Sequence, residues 1–447
     1  MSDAVTVPAG PRGGVYRALS ARGYYGWTIL AVATLGMFAS GPGQSHIFSV
    51  FLVPISEDLG LSKAEISSAY GGATLIAAFA LPFMGRLVDR HGPRRMMLAV
   101  AALLGAACLA LGAASGFVWL GLGFAALRFL GQGSLMLNSS NLVSRWFESR
   151  RGFAMSLMGL GFAASIGLHP PLAQALIDAF GWRGAWLALG AMTWLLLLPT
   201  VWLLVHDRPE DLGLVPDGVA PAAPAATTRT PGEAQADAAP APSGAEIGLT
   251  LAEAARTPTF YVLIAAMMSF AMFMTILHFF GVAIMVEKGL GPDEAAWVFP
   301  VVALTMAACM PLVGRVLDRM RTRYAIALAM LVQSAALAAA TQIEGFASAM
   351  VYAAIFGLTN ACGMTLVGYS WPRFFGRKHL GSIQGTGQTV LVVGASAAPP
   401  IVGLWADLSG GFDAPLWGSA AYPVAAAALV LLFLRTPEPI RSRIERD

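Results

Sequence analysis

The sequence carries the stretch GRLVDR at residues 85–90 and a near copy, GRVLDR, at residues 314–319. The two copies lie 229 positions apart, and each closes a long apolar run. Two consecutive prolines at residues 170–171 return at residues 399–400, again with an offset of 229. A repeat of this length predicts two halves that share one architecture and one register.

Apolar segments of about 20 residues, long enough to cross a bilayer as helices, recur along the whole chain. We count six before and six after a central loop, at residues 27–51, 66–88, 96–115, 117–143, 152–176, 185–204, 260–286, 295–317, 325–342, 347–369, 382–404 and 415–434. Because six crossings return the chain to its starting side, an axis along the membrane normal relates the halves. The predicted fold class is an all-α membrane protein with twelve transmembrane helices in two pseudo-symmetric six-helix bundles.

The composition argues against several other classes of protein. Apolar residues make up 57% of the chain and charged residues 12%, whereas soluble domains contain roughly 45–50% and 25%. The net charge of +3 gives no reason to expect a nucleic-acid partner, and the sequence shows neither a metal-ligand spacing nor a catalytic cluster. We therefore expect no cofactor, no metal site and no enzymatic activity, and a monomer whose partners are membrane lipid and a small molecule.

The repeat divides the chain into five segments. They are an N-terminal tail (1–26), a first six-helix bundle (27–204), a linker (205–257), a second six-helix bundle (258–434) and a C-terminal tail (435–447). The Ala- and Pro-rich stretch 215–244 is typical of a flexible linker. Of the 28 lysines and arginines, Arg128 lies inside a span, Lys63, Arg183 and Lys288 lie on one side, and all others lie on the side of the tails. The positive-inside rule thus predicts a multi-pass protein of the cytoplasmic (inner) membrane with both termini cytoplasmic.

Two motifs resemble those of a known family. Residues 85–95, GRLVDRHGPRR, resemble the loop between helices 2 and 3 of the major facilitator superfamily, and residues 128–134, RFLGQGS, resemble its helix-4 motif. Within that superfamily, residues 23–27, 146–159 and 208–218 are similar to the monocarboxylate porters and the bacterial oxalate:formate antiporters. The resemblance covers nearly the whole chain and implies a transporter that works by alternating access.

The repeated loop motif has a mechanical interpretation. Gly85 lets helices approach, and Asp89 can meet the positive end of a neighbouring helix in one state and lose it in the other. The resemblance implies that this contact favours the outward-facing state; a purely topological role for the charges is the alternative. The candidate gating residues are Gly85, Asp89, Arg90, Gly314, Asp318 and Arg319.

Arg128 is the basic residue at membrane depth. Placing a guanidinium there costs at least about 2.5–3.5 kcal/mol, so Arg128 is expected to face a wet cavity or a partner. It either anchors a substrate carboxylate or donates structurally to backbone carbonyls and polar side chains of neighbouring helices. At 3.6 residues per turn Gln132 and Ser139 share its helix face, and the equivalent position in the second half is Gly357. That asymmetry favours the anchor.

Histidines are the remaining titratable groups in the spans, because no Asp or Glu falls inside them. His46 and His278 occupy matched depths in the first and seventh spans, and His169 lies beside the first proline pair. Each histidine either handles a proton or substrate or makes an ordinary interhelical hydrogen bond.

Three amides complete the candidate binding residues. Asn360, Gln384 and Gln388 either line a polar cavity or join helices, and the two glutamines, four positions apart, share a helix face. The resembling porters typically carry charged residues in helices 1, 8 and 11, where this chain has no acidic or basic side chain apart from His46. This departure favours a monoanion over a dianion.

We predict a secondary active or facilitative transporter of a small organic anion, in the first place a monocarboxylate. Protons or a counter-anion are the candidate coupling partners. Drug or metabolite efflux by proton antiport is the alternative within transport. A membrane enzyme would need a nucleophile or metal cluster, which the sequence lacks, and the short tails argue against a sensor.

Overall fold

The computed structural model describes residues 11–21, 23–148, 150–218, 248–376 and 380–435. Within these residues the chain forms helices and no β-sheet. Most of the predicted linker and the last twelve residues of the C-terminal tail, 436–447, lie outside the described residues.

The first half, residues 11–218, contains eight α-helices. They are α1 (Pro11–Ser20), α2 (Gly26–Ala39), α3 (Ser45–Leu59), α4 (Lys63–His91), α5 (Pro93–Gly112), α6 (Phe117–Leu127), α7 (Met136–Trp146) and α8 (Arg151–Leu204). The second half, residues 248–435, contains α9 (Leu251–Ala254), α10 (Pro258–Glu287), α11 (Pro292–Arg319), α12 (Thr322–Thr341), α13 (Phe346–Phe375), α14 (Leu380–Ser409) and α15 (Asp413–Phe433).

The twelve-span fold is confirmed, with two differences in how the spans are built. Ten helices among the described residues are long and apolar enough to cross a membrane. The first span is instead divided into α2 and α3, and the fifth and sixth run together in α8, where Gly181 with φ 69° marks the bend. A left-handed backbone at Gly181 costs little because glycine has no Cβ, so a tight bend replaces the predicted loop.

One end of the bundle holds both described chain ends and the flanks of the linker. Arg12 of α1 donates from Nη2 to the carbonyl of Val205 (3.0 Å), and the hydroxyl of Thr259 donates to the carbonyl of Arg435 (2.6 Å). We call this the terminal end, and the opposite end, where α3 meets α4 and α10 meets α11, the far end.

The chain after α8 is ordered against the first half. The carboxylate of Asp207 accepts a hydrogen bond from the backbone N–H of Arg94 at the start of α5 (2.8 Å), and that of Asp217 accepts from Glu148 just before α8 (3.0 Å). Negative charge near a helix N-terminus is favourable. The predicted linker therefore packs against the first half from Asp207 to the turn Pro216–Gly218.

The two halves meet toward the far end. Lys63 pairs with Glu287 (3.3 Å), and the backbone N–H of Ala64 donates to Asp407 (2.8 Å). Deeper in the bundle the backbone N–H of Val282 donates to the hydroxyl of a serine on α3, Ser49 (2.7 Å).

Toward the terminal end a cavity of about 520 Å³ lies between α4, α7 and α14. Its lining is mostly apolar and includes Leu75, Leu81, Leu137, Gly385, Gln388 and Thr389. The structure is therefore closed at the far end and holds a cavity toward the terminal end.

Candidate functional site

The site is organised around the break in the first span. Between α2 and α3 the chain makes a single tight turn, Gly41–Gly43, in which Pro42 has no N–H to donate. A Cβ added at Gly43 would lie 2.8 Å from the backbone nitrogen of Gln132 and 2.9 Å from the Cα of Gly131. Only glycine admits so close an approach, so the break is fixed by backbone contact with the fourth span.

Arg128 is held inside the first half by this break. It is 3% exposed, and its guanidinium donates from Nε to the hydroxyl of Thr74 (3.0 Å) and from Nη1 to the carbonyl of Gly43 (3.1 Å). Its Cζ lies 4.8 Å from the ring centroid of Tyr70, an arrangement in which the ring attracts the cation. Two guanidinium nitrogens are thus engaged, and Nη2 has no hydrogen-bond partner among the described residues.

Tyr70 links Arg128 to the second half. Its hydroxyl is 2.6 Å from the hydroxyl of Ser45, and its ring centroid is 4.3 Å from that of Phe279 on α10. The wall of the Arg128 site therefore touches α10 through an aromatic contact.

The fourth span is wound differently from the expectation. Residues Arg128–Leu135 form a π-helix between α6 and α7. The prediction that Gln132 and Ser139 share the face of Arg128 assumed 3.6 residues per turn, and the π-helix departs from that winding. A Cβ at Gly36 would meet the Ser139 hydroxyl, so Ser139 faces α2. Gln132 is half-buried beside the break.

The equivalent positions in the second half are apolar. An offset of 229 carries Tyr70, Thr74 and Arg128 onto Phe299, Ala303 and Gly357. A Cβ added at Gly357 would lie 2.6 Å from the carbonyl oxygen of Val302, so the two helices touch there. The cationic site therefore belongs to the first half alone.

The structure brings the histidines together. The ring centroids of His46 and His278 are 6.1 Å apart, and all three membrane histidines are buried. The hydroxyl of Ser165 lies 3.1 Å from Nε2 of His46 and 3.1 Å from Nδ1 of His169.

The amides are more dispersed. Asn360 is buried and donates to the carbonyl of Phe356 in its own helix (2.8 Å). Gln384 is half-buried, and Gln388 is exposed on the wall of the 520 Å³ cavity. Of the three, the structure places Gln388 on a cavity, and that cavity is largely apolar.

The repeated loop motif lies at the terminal end. Asp89, Arg90 and Arg319 are exposed, and the side chain of Asp318 lies outside the described residues. A Cβ added at Gly85 or Gly314 would meet nothing within 4 Å among the described residues. The predicted close approach at these glycines is therefore not made in this structure, in which the far end is the closed one.

The sequence does not single out the hydrogen-bond partners of the candidate site residues. Tyr70 and Thr74 are four residues apart and so face Arg128 together, and Ser165 lies four residues before His169. The four-residue spacing could have indicated these partners. Hydroxyl groups are common in membrane helices, however, and they carry no charge that would distinguish them from other polar side chains.

Fold and site together define a helical membrane transporter. The model of the Major Facilitator Superfamily matches residues 29–284 and 262–446. The chain belongs to this superfamily.

Known proteins agree with this assignment. The chain is 27% identical to human monocarboxylate transporter 11 over 66% of its length, and 24% identical to the oxalate:formate antiporter of Oxalobacter formigenes over 38%. It is 26% identical over 38% of its length to a probable sulfoacetate transporter of Cupriavidus necator. These matches cover 57%, 41% and 40% of the relatives.

Solved structures show the same fold. A bacterial homologue of the human lysosomal transporter Spinster, in an inward-facing and unoccupied conformation, superposes with a TM-score of 0.70 at 16% identity. The superposition covers 92% of this chain and 97% of that one, which confirms the predicted fold class.

Proposed function

We propose that the protein carries a small organic monoanion, in the first place a monocarboxylate, across the cytoplasmic membrane by alternating access. The observation that carries this proposal is the Arg128 site. Arg128 is a buried cation with no acidic partner among the described residues, and its Nη2 is left for a ligand. A guanidinium that donates to a carboxylate forms a charge-assisted hydrogen bond, which is stronger than a neutral one.

The charge of the ligand follows from the surroundings of Arg128. One guanidinium balances one carboxylate, and the equivalent positions of the second half, Phe299, Ala303 and Gly357, offer neither a second cation nor a hydroxyl. A second carboxylate would be buried without a partner, which is costly. We therefore expect monocarboxylates to bind better than dicarboxylates of similar size.

The route that the substrate takes through the protein follows from the closure of the far end. If both termini are cytoplasmic, this structure is the inward-facing state, and the substrate enters or leaves through the terminal end. The far-end contacts of Lys63 and Ala64 must then break for the opposite state to form. Asp89 and its neighbours, exposed here, would make their contacts in that state. We propose that a monomer performs this cycle.

Uptake into proteoliposomes tests the proposal. Wild type and Arg128→Gln are reconstituted and given labelled acetate, lactate, pyruvate, oxalate or malonate. Saturable uptake of a monocarboxylate by wild type, with loss in Arg128→Gln, supports the anchor. Arg17→Gln is the matched control, because Arg17 is exposed on α1 and should leave uptake unchanged.

A structural role for Arg128 gives a different result. If the arginine only ties α3, α4 and the fourth span together, Arg128→Gln lowers thermal stability but leaves substrate affinity unchanged in the folded fraction. Absence of carboxylate transport in well-folded wild type, together with export of neutral or cationic compounds, would replace the proposal with efflux.

A further inference from the structure

Two arginines of the first half contact the same short stretch of chain at the terminal end. Arg12 of α1 donates from Nη2 to the carbonyl of Val205 (3.0 Å), and Arg94 at the start of α5 donates from Nη2 to the carbonyl of Trp202 (3.1 Å). These carbonyls lie where α8 ends. Both guanidinium groups are therefore at the end of a membrane-spanning helix, the level at which lipid headgroups lie.

Aromatic packing fixes the position of Arg12. Tyr16, one helical turn after Arg12, is buried, and its ring centroid is 5.1 Å from that of Tyr25 and 6.1 Å from that of His206. Residues four apart share a helix face, so α1 turns Arg12 and Tyr16 toward the end of α8 together. The packing of α1 thus holds Arg12 against the first half.

The two guanidinium groups retain most of their donors. A guanidinium has five N–H groups, and Nε of Arg12 and Nε of Arg94 are buried without a hydrogen-bond partner among the described residues. The nearby carboxylate of Asp207 accepts from the backbone N–H of Arg94, and neither arginine side chain has a salt-bridge partner in the part of the chain that the structure describes. The two charges also act on each other. Neighbouring cations with unsatisfied buried donors call for an anion.

The helices that hold these arginines expose apolar side chains along their length. Trp202 and Leu195 on α8 are 50% and 76% exposed, and Leu103 on α5 is 56% exposed. The indole N–H of Trp194 donates to the carbonyl of Ala102 (2.9 Å) and joins the two helices at this surface. Positive charge at the end of exposed apolar helices matches a molecule with an anionic head and apolar chains.

We propose that Arg12 and Arg94 bind the phosphate of an anionic phospholipid, whose acyl chains lie on the apolar surface of α5 and α8. Planar guanidinium groups match phosphate oxygens with pairs of parallel hydrogen bonds. A phosphate between the two arginines also offsets the repulsion of their charges. Lipid covers the apolar surface in any membrane, so a headgroup already lies near the arginines, and an anionic one is favoured. The bound lipid joins α1 to the ends of α5 and α8 and stabilises the terminal end of the first half.

The chain offers two matched control variants. An offset of 229 carries Arg94 onto Arg323 at the start of α12. Arg323 donates from Nη2 to the hydroxyl of Tyr324 (2.8 Å), and its Cζ lies 4.7 Å from the centroid of that ring, so a neighbour in its own helix engages it. Arg17 is exposed on α1 and donates to the carbonyl of Gly13 in its own helix. Arg323→Gln and Arg17→Gln therefore remove the same charge without touching the proposed site.

Native mass spectrometry of the full chain in detergent measures lipid binding directly. Wild type, Arg12→Gln, Arg94→Gln and the two control variants are each mixed with phosphatidylglycerol or with phosphatidylcholine of the same acyl chains. The fraction of protein that retains one lipid is recorded. Thermal melting is followed in the same samples and in samples that contain inorganic phosphate alone.

Wild type should retain phosphatidylglycerol in preference to phosphatidylcholine, and phosphatidylglycerol should raise its melting temperature. Arg12→Gln and Arg94→Gln should each weaken retention of phosphatidylglycerol about fivefold, the contribution typical of one basic residue at an anionic surface. Retention of phosphatidylcholine should not change. Both control variants should behave as wild type does.

Three results would overturn this inference. Wild type without a preference for phosphatidylglycerol has no such site. An equal loss of phosphatidylglycerol in the control variants would show a general attraction of the basic end for anionic lipid. Equal stabilisation by inorganic phosphate would assign the two arginines to a soluble anion. If Arg94→Gln fails to fold, Arg12→Gln gives the answer, because Arg12 lies on the short helix α1 outside the spans.

Discussion

The two halves share a register but carry different side chains at the level of Arg128. In the first half Tyr70, Thr74 and Arg128 form a polar, cationic site, whereas the second half has Phe299, Ala303 and Gly357 at the equivalent positions. The repeat thus gives the two halves the same backbone architecture, and three side chains make the first half the one that carries the charge. The second half contributes apolar surface and His278.

The helices that hold these positions differ as well. The first span breaks at Gly41–Gly43 and the fourth winds into a π-helix at Arg128–Leu135, while α10 and α13 of the second half are uninterrupted. A broken helix frees backbone carbonyls, and Arg128 takes one of them. Irregular backbone at membrane depth is tolerated where such partners exist, and it often accompanies function.

The largest expected effect comes from filling the contact between the broken span and the fourth span. Gly43→Val introduces atoms against the backbone of Gly131 and Gln132, which cannot move aside cheaply. Overpacking of this kind costs about 1–3 kcal/mol or more. We expect a lower melting temperature in detergent and loss of transport. Gly72→Val is the control, because a Cβ there meets nothing within 4 Å; equal damage by both variants would remove the special role of the break.

The second largest effect is expected at the Arg128 site, when the hydroxyl of Thr74 is removed. Thr74→Val leaves Nε of Arg128 without its acceptor while nearly preserving volume, and an unsatisfied buried donor costs about 1–3 kcal/mol. Weaker monocarboxylate uptake is expected, with a raised KM. Thr341→Val removes a hydroxyl that donates to Ala338 and accepts from the neighbouring Gln342, away from the Arg128 site, and should leave uptake unchanged. Uptake with an unaltered KM in Thr74→Val would show that Arg128 needs no such support.

A smaller effect is expected at the far end, where the halves meet. Lys63 pairs with Glu287 and lies 4.4 Å from the ring centroid of Phe412. Both charged side chains are about one-third exposed (32% and 31%), so the pair contributes only about 0.2–1 kcal/mol. Lys63→Gln should shift the population toward an open far end by up to about fivefold.

Spin labels placed on the two halves at the far end measure that shift as a change in distance distribution. The charge-swapped double variant Lys63→Glu with Glu287→Lys should restore part of the wild-type distribution, because the contacts of both side chains with Phe412 are lost. No shift in Lys63→Gln would assign closure of the far end to the deeper contacts alone.

The last effect concerns the terminal end. Burial, with Arg12 and Arg94 nearby, lowers the pKa of His206 to about 4. Between pH 6.5 and 4 the unfolded chain binds this proton and the folded chain does not, so stability falls as the pH drops through that window. Thermal melting at pH 7 and pH 5 should show a smaller loss in His206→Gln than in wild type. An identical loss would assign the acid sensitivity to other groups.

Spans and repeat were predictable because apolar length and a 229-residue offset are properties of the sequence itself. The depth of Arg128 followed from the same counting. Its partners Thr74 and Gly43 did not, since the π-helix and the broken first span change which side chains share a face. The contact between His46 and His278 depends on how the halves close, and a sequence does not state which end is closed.

The central claim is that a single cation in the first half selects monoanions. Isothermal titration of purified wild type and Arg128→Gln with propionate and with malonate, its dicarboxylate of equal chain length, tests it most directly. The account predicts saturable binding of propionate to wild type, weaker binding of malonate, and no saturable binding of propionate to Arg128→Gln. Tighter binding of malonate, or undiminished propionate binding by the folded variant, would contradict it.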